Sequence, residues 1–364
     1  MIKKLILIFV ILLQISCTDN NEKTINTNKT SNTKNNNIKE TIVNTNILKH
    51  KPYYTLKIYD VNTKIFITLN GETIFDDYRL DEDNLEMPVN HYMTSGENIL
   101  KVKFLASKRD NLTLSKNAYA KVELRVKTAG IYDKKSQIVT AIEFDNSKEK
   151  LEDKIKDSKK DGLYNSYNSF NLIKEDEISD VNISNTNIKI LDETRTGSAY
   201  KGYTVSQNIN LQVPFPRWKF LDSDDIMEGN YYHLSDDEYY KLLKTKKIQD
   251  IYALQEKLFH LIQDKKIDEV MPYFKERSHE MDIAMYKEKG YYENLVRKRL
   301  TDDVNDDNRV MLPWNPKKKY FYVSEGAKTL QITKSIIFNN KTHDGSTEYP
   351  IHFRYQEGKW IITR

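Results

Sequence analysis

The segment Tyr53–Asp77, "YYTLKIYDVNTKIFITLNGETIFDD", decides how the chain is read. Leu56 and Ile58, and then Ile65, Ile67 and Leu69, recur at every second position, which is the period of a strand with one buried face. Asn70 and Gly71 then supply the two residues of a tight hairpin turn, because both tolerate the positive φ that such a turn needs. These residues predict β structure starting near residue 52.

The same signal repeats downstream. "MTSGENILKVKFLASK" predicts a turn at Ser95 and Gly96 and a strand through Ile99, Val102 and Phe104. "NAYAKVELRVKTAG" alternates through Ala120, Val122, Leu124 and Val126. "QIVTAIEFD" continues with Ile138, Ala141 and Phe144, and "GYTVSQNINLQVPFPRWKF" runs through Val205, Ile209, Leu211 and Val213 to Pro214 and Pro216. Short strands separated by turns imply an antiparallel β-sandwich over residues 52–220. Ser147–Gly162 is dense in mixed charge at i, i+4 spacing, which predicts an exposed helix inserted in the sandwich and ended by Gly162. Trp218 and Phe220 are candidates for packing between two domains or for presentation to a partner.

Residues 221–364 change period. Ser235 and Glu238 have capping-box spacing, and Ile251, Leu254, Leu258 and Leu261 then fall on one helical face that closes at Lys265 and Lys266. A second helix is expected over Ile267–Phe274, with further helix to a break near Gly290. After "LPWNPKK" the pattern reverts to alternation, with "SEGA" and "QEGK" as hairpin turns. This order of helices followed by a strand meander, over about residues 233–364, resembles the nuclear-transport-factor-2-like cone. The resemblance implies a helix-packed curved antiparallel sheet with room for a small-molecule pocket. The expected fold class is therefore α+β, with an N-terminal β-sandwich, a helical segment, a cone-like sheet and a disordered N-terminal tether.

Composition narrows the function. Lys and Arg number 57 against 53 Asp and Glu, so no basic excess points to nucleic acid. Twenty-four tyrosines describe an aromatic-rich body. The single cysteine, Cys17, excludes an internal disulfide and a multi-cysteine metal site. It follows Lys3, Lys4 and the apolar run Leu5–Leu13, the order of a secretory signal, and that run is shorter than the roughly 17 to 25 residues a membrane span needs. Gln14, Ile15, Ser16 and Cys17 resemble the lipobox of bacterial lipoproteins in its looser spirochaetal form, with Gln14 in place of the usual Leu. An ordinary secretory signal is the other reading. The resemblance implies removal of residues 1–16, acylation of Cys17 and attachment to the membrane through acyl chains, two of which hold where one is marginal. Residues 17–51, rich in Asn, Thr and Lys and without Phe, Tyr or Trp, lack the apolar surface to offset ordering entropy and are expected to be a tether.

Candidate chemistry is sparse. The histidines His50, His91, His233, His260, His279, His343 and His352 form no HExxH pair, and none is expected to bind metal. His260 is expected to pack beside a helical apolar face. The acidic stretches Leu80–Glu86 and Thr301–Asn308 lack the EF-hand order and read as solvated loops. No GxxxxGK[ST], GxGxxG or GxSxG motif occurs. Between Arg309 and Thr342 the one acid is Glu325, in a predicted turn, so a catalytic base on those strands is not expected. No cofactor is implied. Two hypotheses follow. The first is a non-enzymatic surface lipoprotein antigen of spirochaetal type, anchored in the outer membrane and engaging an unidentified protein partner, host-derived or from the envelope. The second is a periplasm-facing carrier or enzyme using a pocket in the cone.

Overall fold

The computed structural model describes residues 51–77, 82–107, 112–129, 136–157, 182–195, 198–228, 236–315, 320–333, 336–342 and 345–364. The signal, Cys17 and the tether as far as His50 lie outside the described residues; Lys51, its expected last residue, accepts from the Ala129 amide at 2.7 Å. The chain is a mixed α+β protein whose sheets pair antiparallel.

β1 (Pro52–Val61) and β2 (Lys64–Leu69) turn their alternating apolar residues inward: Tyr54, Leu56 and Ile58 from one, Ile65, Ile67 and Leu69 from the other, all fully buried. Asn70 (φ 54°) and Gly71 (φ +81°) make the tight turn into β3 (Glu72–Asp77), as the sequence requires. Two five-stranded sheets follow. One has the order β4 (Asp83–Pro88), β1, β6 (Tyr119–Thr128), β7 (Gln137–Asp145), β8 (Ile155–Asp157). The other has the order β3, β2, β5 (Gly96–Ser107), β10 (Ser198–Leu211), β9 (Asn182–Arg195). Both sheets feed one core: Val122, Leu124 and Phe144 come from the first, Leu100, Val102, Phe104 and Val205 from the second. Phe104 and Phe144 stack across it with ring centres 4.5 Å apart, and Thr140 donates to Gln207 at 2.8 Å.

The predicted helix at Ser147–Gly162 is not formed as expected. A single helical turn, α1 (Leu151–Lys154), gives way to β8, whose Ile155 is fully buried and pairs with Phe144 of β7. Exposed i, i+4 charge pairs contribute only about 0.2–0.5 kcal/mol each, whereas burying an Ile contributes roughly 1.5–3 kcal/mol. The Ser147 hydroxyl, where that helix would begin, donates to Asp145 at 2.6 Å. Residues 158–162 lie outside the described residues. The acidic stretch expected as a loop at Leu80–Glu86 enters β4 at Asp83, where Leu85 pairs with Ile58.

The remainder carries α2 (Asp236–Leu243), α3 (Lys246–Gln263), α4 (Ile267–Ala284) and α5 (Tyr291–Asn305), then β11 (Arg309–Met311), β12 (Phe321–Val323), β13 (Thr329–Ile332), β14 (Ile337–Asn340), β15 (Ser346–Glu348), β16 (His352–Gln356) and β17 (Lys359–Ile362). The helix expected to run unbroken to Lys265 divides at Thr245, whose hydroxyl accepts from the Ile248 amide at 3.4 Å and starts α3 afresh. Ser235, the expected cap, lies outside the described residues. α4 continues past Phe274, through Pro272, to Ala284. Asp282 accepts from the amides of Gly290 (2.6 Å) and Tyr292 (2.8 Å) and so fixes the start of α5. Thr301–Asn308 is not a solvated loop throughout: Thr301–Asn305 ends α5, and the buried Asp303 bonds Arg309 and Tyr349. "SEGA" and "QEGK" connect β12 to β13 and β16 to β17.

A second core joins these helices and strands to the sheet before them. Ile251, Leu258, Val270, Phe274, Leu330 and Phe353 pack with Phe66, Leu105 and Leu191, which lie on the outer face of the second five-stranded sheet. β2 is consequently buried at all six positions rather than on one face. Trp218 and Phe220 resolve to packing: both are fully buried, Trp218 Nε1 donates to the Met93 carbonyl at 2.7 Å, and their cluster includes Met281, Ala284 and Tyr292 of α4 and α5. Asn90 adds a polar tie, accepting from the Tyr54 amide at 2.6 Å and donating to the Ala284 carbonyl at 2.7 Å.

Candidate functional site: a lysine and glutamate groove

In β5, Leu100, Val102 and Phe104 enter the core, so Lys101 and Lys103 between them must face the other way. Pairing sets them in rows across the sheet. Lys101 lies opposite Ser206, which faces Asn187; Lys103 lies opposite Thr204, which faces Lys189. The turn after β12 comes down on this face. Glu325 accepts from Lys101 Nζ at 3.0 Å and Lys103 Nζ at 3.1 Å, and the Thr68 hydroxyl is 3.4 Å from its second oxygen. Only 4 % of the Lys103 side chain reaches solvent, and its ammonium stands 5.6 Å from the Phe66 ring centre. Burial opposes the charge on Glu325, but Lys103 and Lys101 together outweigh it and hold the carboxyl below its ordinary range.

Two glycines bring that turn so close. The Gly326 amide donates to the Gly71 carbonyl at 3.0 Å, and a Cβ on Gly71 would stand 2.9 Å from Gly326 Cα. Glu72, the next residue, is fully buried and accepts a short bond from the Thr329 hydroxyl; burial pushes its carboxyl up. Beside these contacts the rows of Lys101 and Lys103 line a groove of about 420 Å³ with Lys189, Thr204, Ser206 and Glu325. Its lining runs on along β9, the outermost strand of the sheet, through Asn187, Lys189 and Leu191, while Ile190, in register with Tyr203 and Phe104, carries its 76 % exposed side chain on the other face. A volume in this range suits a small ligand or a few residues of a peptide. Mixed charge and hydroxyls favour a polar, extended occupant over an apolar one.

A second polar cluster ties the junction from the other side. Arg364 Nη1 donates to Glu280 at 2.7 Å and Nη2 to the His91 carbonyl at 2.8 Å, while the guanidinium carbon lies 4.3 Å from the Phe220 ring centre. Glu280 also accepts from the Lys219 amide at 3.0 Å. Arg354 pairs with Glu276 through two bonds, 2.8 and 3.0 Å.

The sequence reading placed Glu325 in its turn but gave it no partner; the partners are more than 220 residues away. Lys101 and Lys103 stand at alternate positions of "LKVKF", a pattern that fixes their shared face but not what covers it. His260 is exposed, with Nδ1 3.4 Å from Gln263, and is not packed as expected, because its position falls outside the stripe of Ile251, Leu258 and Ile262. His91 and His352 both join Arg364 through the backbone, the His91 carbonyl accepting from Nη2 at 2.8 Å and the His352 amide donating to the Arg364 carbonyl at 2.8 Å. His50, His233 and His343 lie outside the described residues. Among the described residues no group of three or more His, Cys, Asp or Glu side chains is placed to hold a metal ion, and no helix is long and apolar enough to cross a membrane. Comparison of the chain with protein-family models, with curated proteins and with solved structures finds no match.

Proposed function

We propose that the chain is a non-enzymatic lipoprotein of the bacterial cell envelope. Acyl chains on Cys17 hold it in the outer membrane, and its folded body is displayed at the surface to engage a protein partner. The two sheets that share the first core are read as a β-sandwich, and the helices with β12, β13, β16 and β17 as a helix-packed cone. Residues 17–51 serve as the tether. The observation that carries the partner-binding reading is the groove. It runs along a sheet face next to the outermost strand and offers rows of lysines and hydroxyls with the Glu325 carboxylate over them. An extended polypeptide uses such a surface well, because main-chain groups of an outer strand supply affinity and alternate side chains supply choice. In the cone the inward residues Phe321, Val323, Leu330, Ile332 and Phe353 are packed together, which favours the groove over a carrier pocket inside that sheet.

The test is site-specific photo-crosslinking on intact cells that make the full chain. A photoreactive side chain at Asn187, exposed in the row of Ser206 and Lys101, is expected to give a discrete adduct that Lys189→Glu abolishes. The same group at Val310, also exposed but away from the groove, is expected to give none. No adduct at Asn187, or the same adduct from both positions, would overturn the reading.

A further inference from the structure

We infer that Arg277, Arg364, His91 and His352 form a binding site for a small oxyanion of the phosphate class. Arg364 is 5 % exposed, and two of its nitrogens are used by Glu280, the Thr363 carbonyl and the His91 carbonyl, yet its Nε is buried with no acceptor. His91 Nδ1 is likewise buried and unpartnered. Arg277 precedes Glu280 by three residues on α4, which places the two side chains side by side on the helix surface. Arg277 has no hydrogen bond or ion pair among the described residues. It stands within electrostatic reach of Arg364 and of the Tyr92 and Tyr292 phenols. His352 is joined to Arg364 through the backbone, its amide donating to the Arg364 carbonyl at 2.8 Å.

The local charge does not balance. Arg277 and Arg364 bring two cations, and Glu280 brings the carboxylate bonded to Arg364. Glu72 also lies within electrostatic reach of Arg364, but its hydrogen bond goes to the Thr329 hydroxyl and it makes none to either guanidinium among the described residues. The Arg277 guanidinium, half-buried and without a partner among the described residues, therefore keeps its fork of donors unused beside two buried orphans, Arg364 Nε and His91 Nδ1. Buried polar groups are nearly always paired, and an uncompensated charge next to a like charge is costly. A tetrahedral oxyanion answers each of these needs. It presents an edge to the Arg277 fork in the two-bond geometry that guanidinium favours, and further oxygens to Arg364 Nε and the imidazoles. Tyr92, Trp218 and Phe220 wall the site with aromatic faces around Arg364. The site is separate from the groove and does not depend on the partner-binding reading.

The probe is inorganic phosphate, titrated into the full chain in detergent at constant ionic strength, with chloride as the balancing anion. Calorimetry is expected to give saturable binding at one site per chain, accompanied by a rise in melting temperature that chloride does not give. Arg277→Gln is expected to keep the chloride melting temperature and bind phosphate at least tenfold more weakly, and Arg277→Lys, which keeps charge without the fork, to fall between. Should Arg277→Gln fail to fold, imidazole NMR of the wild-type chain decides: phosphate is expected to shift the His91 and His352 resonances and leave that of exposed His279 in place. Absence of saturable binding, equal affinity in the Gln variant, or uniform movement of all histidine resonances would overturn the inference.

Discussion

Removing the Arg364 guanidinium is expected to loosen the junction of the two cores more than any surface change would. The side chains of Arg364 and Glu280 are 2 % and 7 % exposed and 2.7 Å apart, so the value of about 0–1 kcal/mol typical of solvent-screened pairs does not apply. In Arg364→Met the Glu280 carboxylate keeps only the Lys219 amide, and the His91 carbonyl loses its donor. Stranding one member of a buried pair costs about 3–5 kcal/mol. The guanidinium contact with Phe220 adds about 1–2 kcal/mol where it is desolvated, partly replaced by the methionine. A net loss of roughly 3–4 kcal/mol is expected in Arg364→Met. Glu280→Gln alone should cost a similar amount, because with its oxygen on the Lys219 amide the side chain turns its NH2 toward Arg364 Nη1 and leaves that guanidinium unpaired. In the double variant no charge is left stranded, so the loss should be well below the sum of the two, by about 1–3 kcal/mol. Urea unfolding of the four proteins measures this through the midpoint at constant slope. Additive losses, or a loss below 1 kcal/mol in Arg364→Met, would refute the claim that this pair clamps the junction.

Further outcomes follow from the same contacts. Gly71→Ala should destabilise by about 1–3 kcal/mol, since it strains a left-handed backbone and presses on Gly326; Gly96→Ala, with similar φ and nothing within 4 Å, is the control and should cost only the backbone part. Lys103→Met should cost more than Lys101→Met, because Lys103 is 4 % and Lys101 29 % exposed; equal melting temperatures in the two would count against a buried Glu325 pair. Burial first, then Arg364 and Arg277, lower the His352 pKa to about 4 from 6.5. The unfolded chain thus binds the extra proton first, and stability should fall as pH drops from about 6.5 to about 4. The slope of melting temperature across that window should be reduced in His352→Gln, the remainder coming in part from His91, whose pKa burial also depresses, and an unchanged slope would contradict the assignment.

Much of the fold is written in local pattern. Leu56 and Ile58, the Asn70–Gly71 turn and the alternation of "LKVKF" each encode their strand because period and turn chemistry act over a few residues. What depends on distant neighbours is not encoded in that way. β2 shows a one-sided pattern yet is buried on both faces, because Phe66 meets residues of the later helices. Ile155 sits in a stretch whose charges look helical, and only the open edge of β7 explains its place. The groove needs Glu325 over Lys101 and Lys103, and the oxyanion site needs His91, Arg277, His352 and Arg364 from four parts of the chain. No spacing in the sequence announces either set. The Thr245 cap was readable, being a favoured residue type one position before a helical run, and it lost to the longer periodic pattern around it.

Metabolic labelling with a fatty-acid probe, comparing the wild-type chain with Cys17→Ala and sequencing the mature amino terminus by mass spectrometry, tests the lipoprotein reading most directly. The account predicts label in the wild type alone, on a mature chain whose first residue is Cys17 carrying acyl groups. Equal label in both proteins, or a mature chain that begins elsewhere without lipid, would contradict it.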